Sequence, residues 1–196
     1  MPLPKYVRLT DCLSHQTELA EISSLLREQA KTDLDAVWWN DLGETKHDPG
    51  DEPDEHWEWR TIIAATQNKP YFRCVCVRTN DRIIQAAMLF RVDVKSVLEP
   101  GQGAVFVERL ATAPRNRDAL VIQPKFRGGG TGLLTYAIAL SYSLGLGGRV
   151  SLIPIAHQTF YEQFGFVATE AKVGRETLFE LPAASATEIL IERGLL

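Results

Sequence analysis

Apolar residues recur along this chain at two spacings, and each spacing predicts a different element. Apolar side chains three and four residues apart predict amphipathic helices over residues 15–31, from about Pro53 to Gln67, and over 133–144. Apolar runs rich in β-branched residues and bounded by turn residues predict strands, which cover residues 71–78, 82–93, 104–113 and 149–155. A short helix over 158–164 and a hairpin over 167–181 follow.

The order of these elements favours an α/β (α+β) fold with a mixed sheet. Two helices come first, three strands follow, and single helices then alternate with the remaining strands. A chain of 196 residues with 45% hydrophobic and 23% charged residues is long and apolar enough to bury one core. We therefore expect a single domain over residues 1–196. The composition argues against disorder, collagen and coiled coil.

The net charge and the absence of long apolar runs limit the expected partners. Twenty-one Lys and Arg against twenty-five Asp and Glu give a formal charge of -4, which is unfavourable for general binding of nucleic acids. The sequence has neither a secretion signal nor an apolar run of about eighteen residues that could span a membrane. We expect a cytoplasmic monomer or homodimer that binds no membrane and no nucleic acid.

The cysteines and histidines do not suggest a redox or metal site. Cys74 and Cys76 alternate along a predicted strand and project to one face, so we interpret them, with Cys12, as reduced thiols that fill space. His47 and His56 lie among acidic residues, but their spacing matches no metal site. We therefore expect no metal.

The most informative segment is a glycine cluster at the start of a predicted helix. Four of the five residues 128–132 are glycines, which leaves backbone N–H groups open to a phosphate or pyrophosphate at the positive end of the helix. The alternative is a tight turn that only lets the helix pack on a strand. A P-loop is excluded because Leu133 and Leu134 follow Gly132, and a dinucleotide-binding unit is excluded because residues 148–156 contain no acid.

Two segments resemble motifs of a known family. Residues 127–132, Arg-Gly-Gly-Gly-Thr-Gly, fit the R/Q-x-x-G-x-G/A loop of the Gcn5-related N-acetyltransferase (GNAT) superfamily, and residues 160–166, Phe-Tyr-Glu-Gln-Phe-Gly-Phe, are similar to its later F/L-Y-E-x-x-G-F segment. The resemblance implies a mixed, mostly antiparallel central sheet of about six to seven strands flanked by helices. It covers a core over residues 71–181, between a variable N-terminal part over 1–70 and a C-terminal tail helix over 182–196.

The resemblance also implies an acetyltransferase that uses acetyl-CoA as co-substrate. The family's glycine loop binds the pyrophosphate of acetyl-CoA, and its fourth strand, here residues 105–113, binds the pantetheine arm and splays from the fifth strand, here 150–155. The implied CoA-binding residues are Leu110, Ala111, Arg127, Gly128, Gly129, Gly130, Thr131 and Gly132. Arg115 and Arg117 are further candidates, for the ribose phosphate.

Two residues are candidates for the proton transfers of the reaction. Glu108 lies mid-strand, where several relatives have a glutamate base, and its apolar neighbours are expected to raise its pKa. The alternative is an ion pair with Arg109 or an exposed edge position. Tyr161 matches the family tyrosine that protonates the leaving thiolate, and the alternative is aromatic packing. An asparagine common before that tyrosine is replaced here by Pro154.

The distance between the fourth strand and the glycine loop permits a second alignment. Eighteen residues separate Glu108 from Arg127, more than in many relatives. The alternative alignment makes residues 119–122 the end of the fourth strand, which would weaken the assignment of Glu108 as the base.

The segment over residues 38–59 is the candidate for acceptor binding. It contains all four tryptophans, and residues 41–58 carry a net charge of -7. Carboxylates beside aromatic faces suit a cationic amine, so Trp38, Trp39 and Trp57 are predicted to bind a small-molecule amine or a protein lysine. The alternative is a solvated acidic loop anchored by its tryptophans.

Two other functions compete with that of an amine acetyltransferase. One is a non-catalytic acyl-CoA-binding or interaction module with a degenerate fold of this family, although Glu108 and Tyr161 argue against it. The other is a toxin that acetylates aminoacyl-tRNA, which the acidic charge disfavours.

Overall fold

The computed structural model describes residues 1–196, which form nine strands and five α-helices. The strands are β1 (Tyr6–Asp11), β2 (Thr17–Ser24), β3 (Phe72–Arg78), β4 (Ile84–Lys95), β5 (Gly103–Thr112), β6 (Phe126–Arg127), β7 (Val150–Leu152), β8 (Val167–Val173) and β9 (Glu176–Leu181). The helices are α1 (Arg27–Ala30), α2 (Trp59–Thr66), α3 (Gly129–Ser143), α4 (Gln158–Gln163) and α5 (Ala183–Glu192). None of the helices has the length and apolar character needed to cross a membrane.

The chain divides into two compact units. The first unit comprises Lys5–Leu89 and Arg109–Leu133, and its strands follow the order β6-β1-β2-β3-β4-β5. The second unit comprises Met1–Pro4, Phe90–Glu108 and Leu134–Leu196, and its strands follow the order β4-β5-β7-β9-β8. The pairing of β5 with β7 is parallel, whereas β7–β9 and β8–β9 are antiparallel. The predicted α/β class with a mixed, mostly antiparallel sheet is confirmed.

The N-terminal segment differs from the sequence-based expectation. Residues 15–31 were expected to form a helix, but most of this segment is β2, which pairs antiparallel with β1 and with β3. Leu19, part of the helical pattern, is 56% exposed, whereas Ala20 is buried. Strands β1, β2 and β6 bring the number of strands above the expected six to seven.

A local turn explains why this segment forms a hairpin. The Asp11 carboxylate accepts hydrogen bonds from the backbone N–H groups of Leu13 and Ser14 and from the Ser14 hydroxyl. These bonds, led by those from Ser14, lower the pKa of Asp11. His15 takes the left-handed conformation that closes the turn, with φ 57°. Asp and Ser at these positions are typical of turn formation, which competes with a helix start.

Helix α2 begins later than expected, at Trp59 instead of soon after Pro53. The carboxylate of Asp35, which ends a π-helical turn over Lys31–Asp35, accepts hydrogen bonds from the N–H groups of Trp59 and Arg60 at 2.8 and 3.0 Å. A distant carboxylate therefore caps the helix and sets its first residue.

The core of the first unit forms around two tryptophans. Trp38 and Trp59 are buried with their rings edge to face, and the Trp38 indole N–H donates to the carbonyl of Ile84 at 3.2 Å. Aliphatic side chains from α1, α2, β4 and β5, together with Cys76 of β3, complete the cluster. All three cysteines are free, and burial is the main cause that raises the pKa of the Cys74 and Cys76 thiols.

In the second unit, the C-terminal helix packs against its own chain. Ala186 and Leu190 of α5 are buried, and Gly148 lies so close to Ala186 that a side chain at Gly148 would collide with it. The buried Glu180 of β9 accepts hydrogen bonds from the hydroxyls of Ser96 and Ser151 and from the N–H of Val97. These bonds satisfy a carboxylate that would otherwise be costly to bury.

Candidate active site

The glycine loop enters α3 through a backbone conformation that favours glycine. Strand β6 pairs with β1, and Gly128 then turns the chain with φ 103° before α3 begins at Gly129. A Cβ atom on Gly128 would lie 2.7 Å from the carbonyl oxygen of Arg8. Gly128 is therefore required both by its conformation and by the close approach of β1.

Close packing explains two of the other glycines and leaves one open. A Cβ on Gly132 would lie 2.8 Å from Cβ of Val7, and one on Gly129 would lie 3.0 Å from Cβ of Ala86. A Cβ on Gly130 would meet only Cγ2 of Thr112, at an ordinary contact distance of 3.4 Å. The packing interpretation therefore accounts for Gly128, Gly129 and Gly132, and Gly130 is where a bare backbone remains accessible.

The start of α3 has the electrostatic character of an anion site. The helix is 15 residues long, and the first N–H groups of such a helix lack intrahelical acceptors and carry a partial positive charge. Gly130 and Thr131 in its first turn are partly exposed. Arg127 lies beside them as an exposed residue, and its Nη2 pairs with Asp118 at 2.8 Å. These residues fit the diphosphate of a CoA ester.

A buried amide network connects the glycine loop to β4. The side chain of Asn116 accepts a hydrogen bond from the N–H of Phe126 at 3.1 Å and donates to Oε1 of Gln85 at 3.0 Å. Gln85 is buried, and its side-chain amide donates to the hydroxyl of Thr79 at 3.3 Å. The residue that precedes Arg127 is thus held by a chain of side-chain bonds that starts in the β3–β4 turn.

Arg115 and Arg117, the candidates for the ribose phosphate, both point into the first unit. Buried Arg115 donates to the carbonyl of Ile84 and to Gln85. Arg117 donates to the carbonyl of Thr112 through Nε and Nη2. Both guanidiniums are engaged within the protein, so these contacts give no support to the hypothesis that they bind CoA, which stays a prediction.

Arg117 also binds the acidic segment. Its Nη1 and Nη2 donate to the two carboxylate oxygens of Asp54, each at 2.6 Å, and Nη1 donates to Glu52 at 2.8 Å. Asp54 is buried, and its bidentate geometry is the strongest form of such a pair. Burial alone would raise the pKa of Glu52, but hydrogen bonds from Arg117 and His47 lower it. The acidic segment is therefore partly an ordered, paired structure.

Of the predicted acceptor residues, two line a cleft and one is in the core. Trp39 and Trp57 lie beside Glu55, Glu58 and Lys31 in an open cleft of about 490 Å³. Each indole already has an arginine over its ring: Arg117 lies 5.2 Å from the centre of Trp39, and Arg109 lies 5.0 Å from that of Trp57. Trp38 is buried and bonded to Ile84, so we leave it out of the acceptor surface.

Glu108 lies where two parallel strands part. The pairing of β5 with β7 ends at Val107 and Leu152, one residue before Glu108, and β7 itself ends at Leu152. The Glu108 side chain is 26% exposed, and its Oε1 lies 3.0 Å from Nε of Arg91. Glu108 thus forms an ion pair with Arg91, whereas the guanidinium of Arg109 lies over Trp57. Residues 118–120 form a turn and Val121 makes only an isolated bridge to Thr45, so residues 119–122 do not end β5 and the alternative alignment fails.

The remaining candidates have the following surroundings. Tyr161 lies on α4, partly exposed, with its ring edge to face against Phe160 and Phe166 at 5.2 and 5.9 Å. Leu110 is partly exposed on β5, whereas Ala111 is buried in the core of the first unit.

No group of three or more His, Cys, Asp or Glu side chains is placed to hold a metal ion.

Three residues of the candidate site were missed by sequence reasoning. Arg91 pairs with Glu108, 17 residues away along the chain, and Gln85 and Asn116 bond to each other across 31 residues. Local motifs contain no sign of such contacts, because these depend on the register of β4 against β5. A polar glutamine within the apolar run over residues 83–90 was the single available signal.

Comparisons with known proteins support the fold. No protein-family model and no curated protein sequence matches the chain. A mutant AtaT toxin, bound to the C-terminus of the antitoxin AtaR and acetyl-CoA, has a similar structure, with a TM-score of 0.57 and 16% identity over 87% of this chain and 98% of that chain. A chimera of spermidine N-acetyltransferase SpeG from Vibrio cholerae and hSSAT has a TM-score of 0.51 and 14% identity, over 86% and 98%.

A third similar structure is AtaT complexed with acetyl-methionyl-tRNAfMet. Its TM-score is 0.50 at 16% identity, over 68% of this chain and 83% of that chain. At such low identity these likenesses establish the fold alone: the chain has the fold of the GNAT acetyltransferases, as the two sequence motifs predicted. They do not support the expectation that nucleic acids are excluded as partners.

The packing role of Gly132 can be separated from a ligand role. We expect Gly132→Ala to lower the free energy of unfolding by about 1–3 kcal/mol because its methyl group overlaps Val7, and Val7→Ala in the same chain to recover part of the loss. Gly130→Ala, in the same helix turn, is the matched control and leaves stability unchanged or slightly higher. Urea unfolding gives the free energy of unfolding of these three variants and of the unmodified protein. Equal stability of Gly132→Ala and Gly130→Ala would contradict the packing role.

The role of Asn116 can be measured at the glycine loop. Asn116→Ala removes the acceptor for the Phe126 N–H, so we expect hydrogen exchange at this amide to accelerate by about tenfold or more, equivalent to about 1–3 kcal/mol of local opening. The control is Asn80→Ala, an exposed asparagine in the β3–β4 turn. Unchanged exchange at Phe126 would show that β6 pairing alone holds the loop.

The Glu52 pairing predicts a pH-dependent stability. Because the folded protein lowers the Glu52 pKa, its contribution is complete above the ordinary value of 4.5 and is lost as the pH falls through the lowered pKa. We expect Glu52→Gln to cost about 1–2 kcal/mol at pH 7, with the difference from the unmodified protein shrinking in acid. Exposed Asp51→Asn is the control; a difference that stays constant with pH would refute the charge-based explanation.

Proposed function

We propose that this protein is an N-acetyltransferase that moves the acetyl group of acetyl-CoA to a primary amine. The observation that carries the proposal is the start of α3, where Gly130 is the one glycine of the loop that packing leaves open. The fold, and the presence of acetyl-CoA in one similar AtaT structure, support the same ligand. In this proposal the backbone of residues 128–132 binds the diphosphate, and Arg127 adds positive charge at the rim.

Glu108 and Tyr161 are the proposed groups for the two proton transfers. The acceptor reaches the site as an ammonium and must lose a proton to Glu108, directly or through water, before its nitrogen attacks the thioester carbonyl. The nitrogen then bonds to the carbonyl carbon and loses its second proton to water, while the bond between that carbon and sulfur breaks. Tyr161 donates a proton to the leaving thiolate. Both residues belong to the second unit, and the end of β5–β7 pairing supports ligand access beside Glu108.

The proposal is tested by titration calorimetry with acetyl-CoA and CoA. We expect micromolar binding to the unmodified protein and a loss of at least tenfold in Gly130→Glu, because a carboxylate there repels the diphosphate. Ser143→Glu adds the same charge at the other end of α3, about 20 Å away, and should bind normally.

Each outcome of the titration has a clear meaning. The absence of binding to the folded, unmodified protein would overturn the proposed cofactor. Binding without thiol release for any amine would instead favour the non-catalytic acyl-CoA-binding module. Glu108→Gln and Tyr161→Phe are expected to retain acetyl-CoA binding but to reduce the rate of thiol release by 10²-fold or more.

A further inference from the structure

Arginines already pair with the aromatic and acidic groups that are predicted to attract a cationic acceptor. Arg117 lies over Trp39 and Arg109 lies over Trp57, so one face of each cleft tryptophan already has a cation. In the second unit, Arg91 pairs with Glu108, the proposed base. The -7 segment is partly neutralised by Arg117 through Glu52 and Asp54. Each of these groups therefore already has a cation of the protein as its partner.

The pair formed by Arg91 and Glu108 is accessible to a ligand. The two side chains are 32% and 26% exposed and approach to 3.0 Å. The Arg91 guanidinium also lies 5.4 Å from the centre of the Phe106 ring, which is two residues from Glu108 on the same strand. Asp93, two residues along β4, lies 3.8 Å from Arg91, beyond hydrogen-bond distance, and is more exposed than either. Of these two carboxylates, that of Glu108, the proposed base, is the nearer to Arg91.

We propose that the acceptor is an amine that also carries a carboxylate, such as an amino acid, and that Arg91 binds this carboxylate while Glu108 receives the ammonium proton. This inference rests on the proposed function. The ligand replaces one ion pair by two: its ammonium takes the place of Arg91 at Glu108, and its carboxylate becomes the new partner of Arg91. A planar guanidinium with five N–H donors suits bidentate binding of a carboxylate.

A purely cationic amine makes only half of this exchange. Its ammonium would reach Glu108 by displacing Arg91, and it would bring no carboxylate to replace the one that Arg91 loses. The guanidinium and the ammonium would also repel each other at close range. The geometry around Glu108 therefore favours an amine with an anionic group over the polyamine or lysine expected from the acidic segment.

The experiment compares amines with and without a carboxylate, and γ-aminobutyrate and butylamine form the pair that differs in this group alone. Thiol release from acetyl-CoA is measured with γ-aminobutyrate, butylamine and putrescine, with the twenty standard amino acids, and with methionyl-tRNA as an ester-linked amine without a free carboxylate. We expect kcat/KM to be at least tenfold higher for the best carboxylated amine than for any amine without a carboxylate. The difference should lie mainly in KM, because the carboxylate contact is made before the reaction.

Variants of Arg91 test whether this residue makes the distinction. Arg91→Gln should raise KM for carboxylated amines tenfold or more and reduce the preference over butylamine, and Arg91→Lys should restore part of it. Arg175→Gln, an exposed arginine in the β8–β9 turn of the same unit, is the matched control. Acetyl-CoA binding and melting temperature are measured for every variant, so that loss of folding is recognised.

The outcomes separate this inference from the proposed function. Absence of acetyl-CoA binding by the unmodified protein overturns the proposed function, and this inference with it. Faster turnover of putrescine, butylamine or methionyl-tRNA than of every carboxylated amine overturns the inference alone, as does acetyl-CoA binding without turnover of any carboxylated amine. An unchanged carboxylate preference in Arg91→Gln likewise excludes Arg91 as its origin.

Discussion

The first unit depends on the ion pairing of one guanidinium. Arg117 joins the end of β5, through the carbonyl of Thr112, to Glu52 and Asp54 in the acidic segment, and its plane covers Trp39. Asp54 is buried, so without this partner a carboxylate would remain uncompensated in the interior, at a cost of about 3–5 kcal/mol. The acidic composition of this segment suggests a solvated loop, but its pairing with Arg117 makes it part of the folded first unit.

The same interaction changes how the electrostatics of the chain should be interpreted. A net charge of -7 over residues 41–58 suggests a strong field for cations, but charges that are paired within the protein contribute little to it. Arg109 and Arg117 also cover tryptophan faces that would otherwise attract a ligand cation. The charge counted along a sequence therefore overestimates the charge that a substrate meets. The excess is the number of carboxylates that are paired within the protein.

Sequence patterns were sufficient where the deciding interactions are local. The strands from β3 to β5, helix α3 and the final hairpin follow from apolar spacing and turn residues, and the glycine loop follows from its composition. The first hairpin was missed because Leu19 and its neighbours also fit a helical period, and the Asp11 turn decided against it. The partners of Glu108 and Arg117 depend on register and on contacts between segments up to 65 residues apart, which local patterns do not contain.

The position of the tryptophans determines what optical measurements can detect. All four lie within residues 38–59 of the first unit, in contact with one another or with arginines, whereas the second unit has none. Intrinsic tryptophan fluorescence therefore reports on the first unit alone, and far-ultraviolet circular dichroism reports on the backbone of both. Coincidence of the two signals during denaturation would mean that the units unfold as one cooperative body, and separation would mean that they do not.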